Sequence, residues 1–226
     1  MPGTARELRV RPFLLVLSSP SGGGKSTIAR HLLAGRDDVV YSISATTRNR
    51  RDGEVDGQHY HFLDRATFQA RATAGEFLEW AEYGGNLYGT LRSEVERGLD
   101  TGRHVVLDIE VQGAEQLRRS FPNAVHVFVL PPSATELVVR LRNRKTEDEA
   151  GLARRFAIAS GELELASRYD YVVVNDDLVE AVAHVAAILD VESRRPERLV
   201  NLEHIVNDLR RELAGAADRP KPAGAA

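Results

Sequence analysis

The sequence predicts an α/β fold, a parallel sheet wrapped by helices and interrupted once by an inserted, mostly antiparallel subdomain. Three observations predict it. Short apolar runs alternate with stretches of helical periodicity over most of the 226 residues, the order that places parallel strands between crossover helices. The first run, residues 13–17, is apolar at every position, as in a strand buried on both faces. Between about residues 44 and 92 the alternation stops, and polar loops and a hairpin signal replace it.

Residues 13–17 form the first strand. A glycine-rich loop follows and opens a helix over 26–33. Residues 39–43 are the second strand. The insertion begins with a polar, arginine-rich loop over 44–57, then Tyr60-His61-Phe62 and a short helix near 65–72. Residues 77–83 and 86–90 flank Gly84-Gly85, a turn signal that returns the chain as a partner strand. The core rhythm then resumes. Strands are predicted at 104–109, 124–130 and 171–174, and helices at 112–120, 133–143, 149–167 and 178–213. Residues 143–150 are polar and charged between two helices and read as a lid. The expected boundaries are a flexible N-terminus (1–11), a domain (12–213) and a disordered Ala/Pro/Gly-rich tail (214–226). Within the domain the core is 12–43, 93–139 and 157–213, the inserted subdomain 44–92 and the lid 140–156.

Composition limits the function classes. Thirty basic against 33 acidic residues give a net charge of −3, which disfavours a general nucleic-acid binder. There is no cysteine, so disulfides, thiolate metal sites and cysteine nucleophiles are excluded. No signal-peptide core or membrane-length apolar run is visible, which predicts a cytoplasmic protein that does not span a membrane. The seven histidines match no metal-ligand spacing.

Ser19-Pro20-Ser21-Gly22-Gly23-Gly24-Lys25-Ser26 lies between the first strand and its helix. It matches the phosphate-loop pattern G-x-x-x-x-G-K-[ST] except that Ser19 stands for the first glycine. Glycines let backbone N–H groups converge on phosphate oxygens, and the helix N-terminus adds its positive end. Pro20, Ser21, Gly22, Gly23, Gly24, Lys25, Ser26 and Thr27 are the candidate ATP-phosphate cradle. Lys25 would reach the β- and γ-phosphates, and Ser26 would offer a hydroxyl to Mg²⁺. Asp108, at the end of the strand Val105-Val106-Leu107, is the candidate carboxylate for Mg²⁺ or its waters, with an ordinary helix cap as the competing reading.

The inserted segment makes the resemblance specific. Ser42-Ile43-Ser44-Ala45-Thr46-Thr47-Arg48-Asn49-Arg50-Arg51-Asp52-Gly53-Glu54, then Gly57 and Tyr60, resembles the guanylate kinase signature. So do Phe77-Leu78-Glu79-Trp80, Gly85-Asn86-Leu87-Tyr88-Gly89-Thr90, Asp108-Ile109-Glu110-Val111-Gln112-Gly113 and Val174-Asn175-Asp176-Asp177-Leu178. The resemblance covers roughly residues 13–195. It implies a P-loop NTPase core with a five-stranded parallel sheet, a GMP-binding subdomain and a helical lid, with ATP and GMP as substrates and Mg²⁺ accompanying ATP. Departures from the family pattern are Arg50 for a usual proline, Leu87 for a frequent tyrosine, Glu110 for a frequent aspartate and Lys145 for a common glycine.

By position, the resemblance assigns the GMP phosphate to Arg48, Arg51, Tyr60 and Tyr88, and guanidinium forks completed by phenols suit a phosphate dianion. Glu79 resembles the guanine-reading carboxylate, which accepts from N1–H and the 2-amino group together. Ser44 and Thr90 would donate to the base. Glu110 and Asp108 would lie near the GMP nucleoside and phosphates. Arg140, Arg144 and Arg155 match arginines that close over the triphosphate, and Asn175 and Asp176 lie in the stretch near the ATP nucleoside. Lys25, Arg51, Asp108, Arg144 and Arg155 are the candidate catalytic set. Residues 140–155 carry six basic and three acidic side chains, so cations concentrate locally in a mildly acidic chain. The implied reaction is ATP-dependent phosphorylation of GMP, with dGMP as a second acceptor. The alternative is a guanylate-kinase-like module that binds phosphorylated ligands without turnover. The apolar positions Leu199, Leu202, Ile205, Val206 and Leu209 leave two uses open for the C-terminal helix, packing on the core or a homo-oligomer contact.

Overall fold

The computed structural model describes residues 7–142 and 149–217. Its elements run β1 (Leu14–Ser18), α1 (Lys25–Gly35), β2 (Val39–Tyr41), β3 (Ala45–Thr46), β4 (His61–Phe62), α2 (Arg65–Thr73), β5 (Phe77–Tyr83), β6 (Asn86–Leu91) and α3 (Arg92–Asp100). They continue β7 (His104–Asp108), α4 (Val111–Ser120), β8 (Val125–Leu130), α5 (Ala134–Arg142), α6 (Glu149–Glu164), β9 (Tyr171–Val174), α7 (Leu178–Glu192) and α8 (Leu202–Ala217).

Five strands form one parallel sheet in the order β2-β7-β1-β8-β9. Helices on both faces explain the continuous apolar runs, because a strand in this sheet has no wet side. Leu15, Leu17, Val106, Val127 and Val129 face Ile28 and Leu32 of α1 and Ala181, Val185 and Leu189 of α7. Leu14, Val16, Val105, Leu107 and Phe128 face Val95 of α3 and Val111, Ala114 and Leu117 of α4.

The insertion is a second sheet, β4-β3-β6-β5, mixed as expected: β3 is parallel to β4 and antiparallel to β6. Its small core is Ala45, Phe68, Phe77, Leu87 and Leu91, with the Phe68 and Phe77 rings stacked at 4.4 Å. Leu87 fills this core, which accounts for an apolar residue at that position. Asp64 caps α2 by accepting from the Thr67 N–H at 2.8 Å. In β5 the register slips between Phe77 and Glu79. That bulge buries three successive residues, Phe77, Leu78 and Glu79, where strict alternation would expose one of them.

Several expectations change. Helix α3 had no apolar period to reveal it, since of its nine residues only Glu94 and Val95 are buried. The predicted second strand ends at Tyr41 rather than at residue 43. The single helix predicted over 178–213 is two helices, α7 and α8, separated by a 3₁₀ turn at Pro196–Arg198. Proline cannot donate in a helix interior, and the buried Glu192 carboxylate gathers Arg195 and Arg198 at 3.3 and 3.0 Å around the break. Helix α8 continues to Ala217, into the stretch expected to be disordered.

Contacts divide the chain into two compact units, Pro12–Leu189 and a smaller one joining the chain ends. In the smaller unit residues 7–11 are tied down rather than loose. Val10 bridges Leu199, the Arg11 N–H donates to the Arg198 carbonyl at 2.7 Å, and the Arg9 N–H donates to Asn201 Oδ1 at 2.8 Å.

Leu17 is fully buried at the end of β1. Leu17→Ala is expected to lower unfolding stability by about 3 kcal/mol. A denaturant titration checks this, with a lower midpoint at an unchanged slope.

Candidate active site

In the large sheet β1 lies between β7 and β8, so the chain winds outward to both sides of it. Ligands of open α/β sheets bind beyond the carboxyl ends of strands at such a reversal, and the glycine-rich loop leaves β1 there. Gly22 and Gly24 adopt φ of +86° and +97°, and no non-glycine among the described residues has positive φ. Ser19 therefore replaces the first glycine of the motif without strain. Its side chain fills space that Gly23 leaves empty, since a Cβ on Gly23 would stand 2.6 Å from that of Ser19. The Pro20 carbonyl accepts from the Gly23 N–H at 2.8 Å. Gly24 is the N-cap of α1 and offers no side-chain cap, leaving the helix's N-terminal donors and positive end for an anion.

Asn175, predicted near the ATP nucleoside, is buried and holds this loop. Its amide donates to the Gly23 carbonyl at 2.9 Å, against Gly24, where a Cβ would collide with it. A cavity of about 420 Å³ opens beside the loop, lined by Lys25, Ser26, Thr27, Arg140, Asn175 and Asp176 among others. Arg140 reaches it from α5 while its Nε donates to Glu136 at 3.0 Å.

Lys25 sits at the centre of an acidic cluster. Its Nζ lies 3.0 Å from Glu110 Oε1, at the start of α4. Burial alone would lower its pKa, but Glu110, Asp108 and Glu162 outweigh burial and raise it, so the ammonium stays charged. Asp108 accepts from the Tyr41 hydroxyl at 2.9 Å. Burial and that carboxylate push the Tyr41 phenol well up. Glu162 of α6 accepts from the Ser21 N–H at 3.2 Å, and burial with the nearby Glu110 raises its pKa to about 7.

The insertion supplies a second group. The Arg48 guanidinium forks onto Glu54 at 3.0 and 2.7 Å and lies over the Tyr60 ring, 5.4 Å from its centroid. Glu54 also accepts from the Arg51 N–H at 2.7 Å, and Arg48's hydrogen bonds hold its carboxyl down at about 2. Tyr60 and Tyr88 meet edge to face. Burial and Asp108 raise the Tyr60 phenol to about 12, with Lys25 and Arg48 opposing. The two groups are thus near enough to feel each other's charge. Arg51 is exposed and Ser44 half-buried.

Glu79 is 5% exposed. Thr90, opposite it across the β5–β6 pair, donates its hydroxyl at 2.6 Å. A hydroxyl has one proton, so in this structure Thr90 serves the carboxylate rather than a base. Burial raises the Glu79 pKa to about 7, the Thr90 bonds oppose the rise, and the Glu110 charge adds to it.

Lys25, Asp108 and Glu110 lie together beyond the strand ends, and Arg48, Tyr60 and Tyr88 lie together on the insertion, with Tyr60 feeling the charge of Asp108 and Lys25, and Glu79 that of Glu110. Arg155 lies half-buried on α6, while Arg144 and Lys145 fall outside the described residues. The sequence reading missed Tyr41 and Glu162. Tyr41 ends a parallel strand beside the cleft, a position that the strand-end rule would have flagged. Glu162 carried no signal, being one carboxylate among several on a charged helix.

A glycine loop at a helix N-terminus, set on this sheet order, and a cluster of arginine and tyrosine side chains on the insertion are the groups that phosphoryl transfer between nucleotides calls for, and they place the chain among P-loop phosphotransferases. Comparison with known proteins narrows the class. A sequence profile described as guanylate kinase matches residues 11–192. A guanylate kinase of Chelativorans sp. is 48% identical over 215 residues, covering 95% of this chain and 96% of that one. One of Desulfitobacterium hafniense is 48% identical over 186 residues, 82% and 93% of the two chains. The crystal structure of guanylate kinase from Anaplasma phagocytophilum superposes with a TM-score of 0.73 at 34% identity, covering 89% of this chain and 96% of that one. The chain belongs to the guanylate kinase family.

A buried carboxyl with a raised pKa favours the folded state below its unfolded value near 4.5, and that contribution is lost as pH rises through about 7. Glu79→Gln is therefore expected to stabilise the ligand-free protein at pH 8, by on the order of 2–3 kcal/mol, and to do little at pH 5. Thermal unfolding at the two pH values checks this.

Proposed function

We propose the following division of roles in ATP-dependent phosphorylation of GMP, the reaction of this family. ATP binds at the loop after β1. Its phosphates take the N-terminal donors of α1 and the Lys25 ammonium, which exchanges Glu110 for phosphate oxygens. Arg140, Arg144 and Arg155 spread positive charge over the transferred group, and Asn175 and Asp176 border the nucleoside side of the cavity. Among the described residues no three carboxylate or imidazole side chains gather to hold a metal alone. A hydroxyl at Ser26 and a carboxylate at Asp108 are hard oxygen donors that fit Mg²⁺, which keeps several waters and takes phosphate oxygens with one or two protein ligands. The Ser26 hydroxyl and the Asp108 carboxylate, one oxygen of which Tyr41 orients, would hold it or its waters. When bound, Mg²⁺ supplies charge neutralisation on the phosphates.

GMP binds in the insertion. Its phosphate replaces Glu54 on Arg48 and is completed by Arg51, Tyr60 and Tyr88. Glu79 accepts from N1–H and the 2-amino group of guanine, Ser44 donates to the base, and Glu110 lies near the nucleoside. dGMP is accepted as well, because nothing in this set depends on the 2′-hydroxyl. No general base is required, since a phosphate monoester is largely a dianion at pH 7. Catalysis is then alignment and charge stabilisation. Closure of the 140–156 lid excludes water, the competing acceptor. No helix among the described residues is long and apolar enough to cross a membrane. A cytoplasmic location suits two highly charged substrates.

The observation that carries the reading is Glu79. A buried carboxylate beside a phosphate cleft rewards guanine's paired donors and leaves adenine's acceptor edge unmatched, a contrast worth roughly 10⁴-fold where a site is built around it. Coupled ADP release should be fast with GMP and near background with AMP. Lys25→Ala should abolish turnover in a protein whose unfolding transition is retained. Equal rates with GMP and AMP, or full activity in Lys25→Ala, would sink the assignment.

A further inference from the structure

Glu79 is held from outside its own sheet. Helix α4 packs along β5 and touches it on both sides of the carboxylate. Gly113 is buried in the first turn of α4, and a Cβ there would overlap Glu79 Oε2 and stand 2.9 Å from its carboxyl carbon. Gln116, one turn later, clamps the backbone of the next residue. Its amide oxygen accepts from the Trp80 N–H at 3.2 Å, and its amide nitrogen donates to the Trp80 carbonyl at 2.8 Å. The Ser120 hydroxyl lies 3.2 Å from the Leu78 carbonyl. Leu78 itself packs in the cluster that contains Ala114 and Leu117 of α4. These contacts fall at the β5 bulge, where the ladder to β6 is interrupted between Phe77 and Glu79. Strand β5 is the edge strand of its sheet and Trp80 stays in register with Gly89, so α4 covers the free edge of the strand beside the bulge.

Helix propensity argues against a glycine inside α4, since alanine would be favoured there by about 1 kcal/mol. The space that Gly113 leaves is occupied by the Glu79 carboxylate. A methyl group would meet the free end of a flexible side chain rather than fixed backbone. The fold would survive the substitution, and the carboxylate would turn away.

We propose that Gly113 and Gln116 of α4 are positioning residues for base selection: Gly113 opens the space that lets the Glu79 carboxylate face guanine, and Gln116 locks the bulged strand that carries it. This rests on Glu79 reading the base. The N-cap of the same helix is Glu110, which contacts Lys25, so one rigid element joins the proposed ATP loop and the proposed guanine pocket.

The test compares the full-length wild type with Gly113→Ala, Gln116→Leu and Glu79→Gln in steady-state kinetics with GMP, AMP and ATP, alongside thermal unfolding. Gly113→Ala is expected to keep its unfolding midpoint within a few degrees, raise the KM for GMP roughly tenfold or more, reduce the GMP-over-AMP preference, and leave the KM for ATP within about twofold. Gln116→Leu should move the same quantities less, and it carries the test should Gly113→Ala fail to fold. Wild-type KM for GMP and wild-type preference in both α4 variants, with Glu79→Gln impaired, would overturn the positioning role while leaving the base-reading role intact. An unimpaired Glu79→Gln would instead remove the base-reading role itself, and this inference with it. Equal increases in KM for GMP and ATP in the α4 variants would mark general loosening and also overturn the proposal.

Discussion

A largely desolvated ammonium must be matched by negative charge, and that constraint organises this protein. Lys25 lies at the mouth of the parallel sheet, where removal from water disfavours its charged form. The compensation comes from three separate elements: Asp108 at the end of β7, Glu110 at the start of α4 and Glu162 on α6. Supplying those carboxylates requires β7 beside β1, α4 leaving directly from β7, and α6 returning over the loop. The sheet order β2-β7-β1-β8-β9 delivers that arrangement.

The same balance recurs at the other groups proposed to hold phosphates. Arg48 is forked onto Glu54, Arg140 is held by Glu136, and the Ser21 N–H is held by Glu162. Each is a donor that a phosphate would claim, and each has a carboxylate in reserve. Binding then exchanges one anion for another instead of stripping water from a bare cation, which keeps the donors pre-oriented. A net charge of −3 does not conflict with this, because the total says nothing of where the cations are concentrated.

Residues differ in how far they could be read in advance. The glycine loop, Lys25 and Asp108 were legible because their chemistry is tied to one position in a strand–loop–helix unit. Continuous apolar runs such as 13–17 were legible because a doubly covered strand leaves no polar face. Helix α3 was not, since it buries only Glu94 and Val95 and shows no apolar stripe. The break at Pro196 was overlooked because apolar spacing continues beyond it, although proline in a helix interior already argued for a stop. Thr90 and Asn175 are candidate site residues by the resemblance, but their first contacts are with Glu79 and the phosphate loop. A hydroxyl or amide in a motif does not announce which neighbour will claim its protons.

By itself the sequence pointed to a class of chemistry. The phosphate loop follows from residue type and local spacing, while the arginines and tyrosines proposed for a second phosphate and the carboxylate proposed for guanine follow from the resemblance of the motifs to guanylate kinases. Only the tertiary structure decided how the parts are held. It showed that Glu162 and Tyr41 join the cleft, that β5 is bulged at Glu79, and that α4 packs Gly113 and Gln116 against that bulge. The contacts between α4 and Glu79 or Trp80 link residues more than 30 positions apart, and no local period records such a pairing. It arises from packing one helix across two sheets.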